Sequence, residues 1–166
     1  MGDSRSHNRP PNRPPGKPSH HQQREQQQGG KIDGLLARIS FSKDALPVEI
    51  FSDIAEQAAD IISQSARHQN RSTQLRKFYD ELLMWNDAIQ QEQGHDARAA
   101  KYTELAPFIK MLKAKVAYAR GRGHVDREFE KLFARCIDAI DSYESLRYGK
   151  FFMEAFMGYY RTLKGD

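Results

Sequence analysis

From Lys31 to the C-terminus, the larger apolar side chains return at every third or fourth position, and no stretch alternates at every second. That period belongs to the amphipathic α-helix and leaves no strand to build a sheet from. Ile50, Ile54, Ala58, Ile61 and Ile62 predict a helix over 47–68, with Pro47 at the first helical position, where its missing N–H costs nothing. A second helix follows, with Ser72 or Thr73 as its N-cap and Leu75, Phe78, Tyr79, Leu82, Trp85 and Ile89 on its inner face, ending near Gly94. A third begins around Asp96 and is expected to be interrupted or restarted at Pro107. Its inner stripe reads Leu105, Phe108, Leu112, Val116 and Ala119, and Gly121 with Gly123 stop it. A fourth carries Phe129, Leu132, Phe133, Cys136, Ile137, Ile140 and Tyr143. Gly149 is expected to break or bend the chain before Phe152, Phe156, Tyr159, Tyr160 and Leu163. With a short turn at Ile32, Leu35, Leu36 and Ile39, residues 31–166 read as an all-α compact bundle of about five helices.

Residues 1–30 have a different character. Five of the seven prolines lie there, glutamine is frequent, and Met1 is the only larger apolar side chain apart from proline. Such a segment buries too little apolar surface to offset the entropy of ordering, so it is expected to be a disordered tail. Arg5, Arg9, Arg13, Lys17 and Arg24 stand against Asp3 and Glu25 there, which places most of the chain's net charge of +4 in the tail. Weak attachment to a polyanion and plain solvation are both open for it.

No apolar run approaches the ~20 residues of a membrane span, and the N-terminus has no apolar signal core. A lone Cys136 permits no internal disulfide and fits a reducing compartment. These features point to a soluble, cytoplasmic protein with no membrane partner.

Catalysis needs converging groups, and the sequence places none together. Cys136 falls on an apolar stripe, where a thiol is structural rather than nucleophilic. His68, His95 and His124 sit at predicted helix ends without a second ligand at metal spacing. No glycine-rich phosphate loop follows a strand. The expectation is a protein that is not an enzyme, with no cofactor and no metal site.

Two basic elements stand out. The segment IKMLKAKVAYARGRGH, residues 109–124, holds Lys110, Lys113, Lys115, Arg120 and Arg122 and no acid. Cations near a helix C-terminus complement the macrodipole, which covers Arg120 and Arg122. It does not cover three lysines with no Glu or Asp three or four residues away. Uncompensated cations suit a polyanion, so spacing leaves phosphate-backbone binding and an ordinary charged surface as the two readings. Tyr118 lies off the apolar stripe of the same helix. The second element is Arg71, Arg76 and Lys77 around a predicted helix start, open to the same two readings. Tyr159 and Tyr160 cannot both face inward.

Three segments together carry a resemblance: STQLRKFY (72–79), KMLKAKVAYARGR (110–122) and FFMEAFMGYYR (151–161). In order and spacing, across roughly residues 31–163, they resemble the small helical subunit of the type III-A (Csm) CRISPR effector complex. The middle motif is the most specific; the tail is outside the family pattern. The resemblance implies a small all-α subunit that stacks as copies of itself beside larger backbone subunits and lines the channel where guide RNA pairs with target RNA. It implies sugar–phosphate contacts independent of sequence and no nuclease activity, cleavage belonging to other subunits. Carried over residue by residue, the RNA-facing side chains are Arg76, Lys77, Lys113, Lys115, Arg120 and Arg122, followed by Arg71 and Lys110. On this reading the cations go unpaired within the chain because RNA phosphates neutralise them.

Two alternatives stand beside it. The small subunit of the sister Cmr (type III-B) complex shares the bundle and the basic surface. A helical protein–protein adaptor without RNA would instead use Tyr118, Tyr159 or Tyr160 and Met157.

Overall fold

A computed structural model describes residues 32–65 and 68–165. The expected tail, residues 1–30, lies outside them. The described chain is all-α. A short helical turn over 32–36 and a 3-10 turn, Lys43–Ala45, precede six helices: α1 Asp53–Ser65, α2 Ser72–Gln90, α3 His95–Lys110, α4 Leu112–Gly121, α5 Arg127–Asp138 and α6 Tyr143–Lys164. No strand occurs among the described residues.

The long C-terminal helix α6 is the axis against which α1 and α2 pack, while α4 lies against α5. Aromatic side chains fill the centre. Phe78 of α2 lies with its ring centroid 5.6 Å from Phe129 and 4.9 Å from Phe133 of α5. Phe129 continues to Phe156 of α6 at 6.1 Å, and Phe156 stacks on Tyr160 at 5.6 Å. Offset and tilted ring pairs of this kind add to the burial of large apolar area. The stripe of α5 is buried throughout, from Phe129 to Ile137. Cys136 is fully buried within it, and desolvation pushes its thiol pKa far above the ordinary value, as a structural cysteine requires. Arg135, from the other side of α5, donates to the carbonyls of Leu36 at 3.1 Å and Ile39 at 2.7 Å, which fastens the N-terminal turn to the bundle.

Several local expectations are corrected. The first helix does not begin at Pro47: residues 47–52 form tight turns, with Ile50 N–H on the Pro47 carbonyl at 3.1 Å and Ser52 N–H on Glu49 at 3.2 Å. The second helix is capped by Arg71, which makes no side-chain cap bond, and Ser72 is its first helical residue. Pro107 lies inside α3, and the interruption falls one turn later, at Met111. Proline removes a single N–H and α3 tolerates that loss; the carbonyl of Met111 then accepts from Ala114 at 3.0 Å and restarts the chain as α4. The inner stripe uses Ile109, not Phe108. Both fit a three-or-four repeat after Leu105, and Phe108 instead lies half-exposed, stacked on Trp85 at 6.2 Å. Gly149 does not break the last helix, which runs through it from Tyr143 to Lys164. It is buried within α6, where Ile140 and Phe41 pass so close that a Cβ would lie 3.1 Å from Ile140 Cδ1 and 3.3 Å from Phe41 Cε2. Its smallness serves close packing rather than a turn.

Candidate nucleic-acid interface

One buried residue outside the helices joins the connections that carry Arg71 and Arg122. Asn70, in the connection from α1 to α2, has a left-handed backbone with φ of 58°. Asparagine tolerates that conformation better than most residues. Its N–H donates to the His124 carbonyl at 3.0 Å, and its side-chain oxygen accepts from Asp126 N–H at 2.9 Å. Its own carbonyl accepts from the Tyr160 hydroxyl at 2.6 Å. The connection entering α2 is thereby tied to the connection from α4 to α5 and to the end of α6. Asp126 completes the joint: it caps α5 by accepting from Phe129 N–H at 2.8 Å, and it accepts from the Ser65 hydroxyl at the end of α1.

This joint brings the two basic elements to one end of the bundle. Arg71 follows Asn70 directly, and Arg122 precedes the turn that ends in His124. Both are exposed and neither forms an ion pair among the described residues. Lys77, in the second turn of α2, is likewise exposed with no such pair. Arg127, at the first position of α5, is a further exposed cation at this end that sequence reasoning passed over. Its signal was its place beside the capping Asp126.

The other expected residues are differently placed. The reading of α4 as uncompensated is corrected, because its acids come from elsewhere in the fold. Lys113 pairs with Asp138 of α5 at 2.6 Å, Lys115 with Glu81 of α2 at 2.6 Å, and Arg120 with Glu130 of α5 at 2.5 Å. Arg76 pairs weakly with Asp80 one turn on, at 3.6 Å. Scanning three and four residues along one helix finds only partners within that helix. Lys110 differs most. Its ammonium donates to the carbonyls of Ile137 and Ile140, each at 2.6 Å, where α5 ends. Partial burial lowers its pKa, and the nearby Asp138 opposes that shift. Lys110 therefore caps a helix end in this fold.

A cleft of about 620 Å³ opens elsewhere, between the 32–36 turn, α1 and the end of α6. Asp53, Glu56 and Asp60 line it together with Arg38 and Gln57, an acidic setting that repels phosphate. Among the described residues no group of three or more His, Cys, Asp or Glu side chains is arranged to hold a metal ion. No described helix is long and apolar enough to cross a membrane.

The described residues thus form an all-α bundle of six helices with exposed cations gathered at one end. A protein-family model described as Csm2 Type III-A matches residues 48–166, and the chain belongs to that family. It is a small subunit of the type III-A Csm complex, a multi-subunit CRISPR assembly. No curated protein and no solved structure matches the chain. The matched region contains all three motifs on which the resemblance rested, and the type III-B alternative gives way to type III-A.

Proposed function

We propose that this chain is a non-catalytic small subunit that stacks as copies along the type III-A complex in the cytoplasm and holds the sugar–phosphate backbone of guide and target RNA without reading sequence. The observation that carries the reading is the set Arg71, Lys77 and Arg122: exposed cations with no acid partner among the described residues, two of them on connections pinned together at Asn70. Phosphates supply the missing charge, and base pairing between the two RNA strands supplies specificity. Lys113, Lys115, Arg120 and Arg76 form a second tier. The cations of these pairs are exposed, and pairs at the surface are worth only about 0.2–1 kcal/mol, so a phosphate can compete with the carboxylate. Lys110 falls outside the proposal, since its ammonium is engaged by carbonyls of the fold. One subunit with a few contacts binds weakly; stacked copies raise the effective concentration of each successive contact.

The test is to purify the tagged protein gently from its native cells and sequence the accompanying RNA. Short RNAs with a common repeat-derived end and variable spacers are expected. Replacing Arg71, Lys77 and Arg122 by alanine together should lower RNA retention without loss of helicity. Each lost phosphate contact should flatten the slope of log affinity against log salt by about 0.7–0.9. An unchanged slope between about 50 and 200 mM salt would remove these residues from the RNA surface.

A further inference from the structure

Tyr118 has no evident structural role. The residue is 70% exposed, and its side chain makes no ring contact, cation–π contact or hydrogen bond among the described residues. Other aromatics near the surface are engaged: Phe108 stacks on Trp85, and Phe51 meets Phe151 edge-on at 6.0 Å. A helical side chain normally lies back over the residues three and four before it. For Tyr118 these are Lys115, whose ammonium is drawn across to Glu81 at 2.6 Å, and Ala114, which has only a methyl. Its neighbours Ala117 and Ala119, and Gly121 three residues on, are small as well. The sequence thus leaves both the ring and the helix surface around it uncovered.

Cations frame this bare ring. Arg122 lies one turn further on, just past the end of α4, and its N–H donates to the Tyr118 carbonyl at 3.0 Å. Lys115 lies one turn before it. Lys115 also ties α4 to Glu81 of α2, and the His124 carbonyl, just past α4, accepts from Asn70 N–H, just before α2. An open aromatic among cations that track a backbone is how proteins bind single-stranded nucleic acid, since every base has a face to stack.

We infer that Tyr118 is a stacking platform for an unpaired RNA base, with Arg122 taking an adjacent phosphate. This rests on the RNA-binding reading above and adds to it. A ring that needs a free base face cannot engage a base inside a continuous duplex, so Tyr118 selects an unpaired nucleotide, whether in a single strand or splayed from a helix.

The test uses the full chain at about 50 mM salt with two fluorescent RNA probes, a single-stranded 12-mer and the corresponding 12-base-pair duplex. Tyr118→Ala is expected to weaken single-strand binding by about 5- to 150-fold and to leave duplex binding unchanged. Tyr118→Phe, which keeps the ring, should bind like the parent. A 2-aminopurine base in the single strand should be quenched by the parent and by Tyr118→Phe, but not by Tyr118→Ala of equal helicity. If Arg122→Ala and Lys77→Ala weaken binding while Tyr118→Ala matches the parent, the stacking inference fails and backbone binding survives. A parent chain that binds neither probe overturns both.

Discussion

The hydroxyl of Tyr160 donates to the backbone carbonyl of Asn70 at 2.6 Å, across a sequence separation of 90 residues. That bond fixes the end of the longest helix to the connection from which Arg71 projects. Tyr160 is fully buried, so the bond forms out of water. Tyr160→Phe keeps the stack on Phe156 and removes only the donor. It should cost about 1–3 kcal/mol, because the Asn70 carbonyl is left in a buried setting. Urea unfolding at fixed slope measures it; a loss under a few tenths would mean that another donor satisfies the carbonyl.

Close packing at Gly149 gives a second expectation. Alanine in a helix interior is ordinarily favoured over glycine by about 1 kcal/mol. Here a Cβ would lie 3.1 Å and 3.3 Å from two carbons of Ile140 and 3.3 Å from Phe41, and both of those side chains are fully buried. Overpacking a well-filled core costs about 1–3 kcal/mol, so Gly149→Ala should be net destabilising. Ile140→Val removes the nearest carbon. The double variant should therefore be more stable than the two single effects added together. Additive thermal shifts would show that the core yields without help.

Lys110 and Arg122 both belong to the basic segment, and the fold separates them. Lys110→Met keeps most of the aliphatic stem but leaves the carbonyls of Ile137 and Ile140 without their charged donor. Bonds to a charged group are worth about 1.5–3 kcal/mol each and their effects overlap, so a stability loss in that range is expected, with little change in RNA affinity per folded molecule. Arg122→Ala should do the reverse: lower RNA affinity with a melting temperature near the parent's. Equal behaviour of the two variants in both measurements would contradict this division.

The contrast shows what sequence periodicity carries. Helix identity followed from the spacing of apolar residues because burial on one face leaves a local trace. The stripe of α5 was legible residue by residue for that reason. The choice between Phe108 and Ile109 was not, since both satisfy the same repeat and only the position of Trp85 decides. The charges were least legible. Glu81, Asp138 and Glu130 are 34, 25 and 10 positions from the cations they meet, beyond any rule of three or four. Asn70 has no periodic signature at all, yet it joins the two basic elements. Tyr118 was legible as an off-stripe aromatic because its place relative to Leu112, Val116 and Ala119 is set by spacing along one helix.

Glu128 supplies a prediction in pH. It occupies the first turn of α5, and one of its carboxylate oxygens is buried with no partner among the described residues. Burial raises its pKa above the ordinary 4.5, with Asp126 and Asp33 adding to the rise and Lys131 opposing it. A carboxyl whose folded pKa is raised favours folding fully below its unfolded pKa and loses that contribution as pH climbs through the folded value. At pH 7 the ionised group is therefore a small burden on the native state, lightened by its place at a helix N-terminus. Glu128→Gln keeps the shape and removes the charge. The variant should unfold at a slightly higher temperature than the parent at pH 7, and the advantage should shrink as pH falls toward 4.5 and vanish below it. Paired melting curves from pH 3.5 to 7.5 read this directly. An advantage that grows on acidification would mean that the native fold favours the ionised carboxylate, through Lys131 and the helix terminus, over the protonated one.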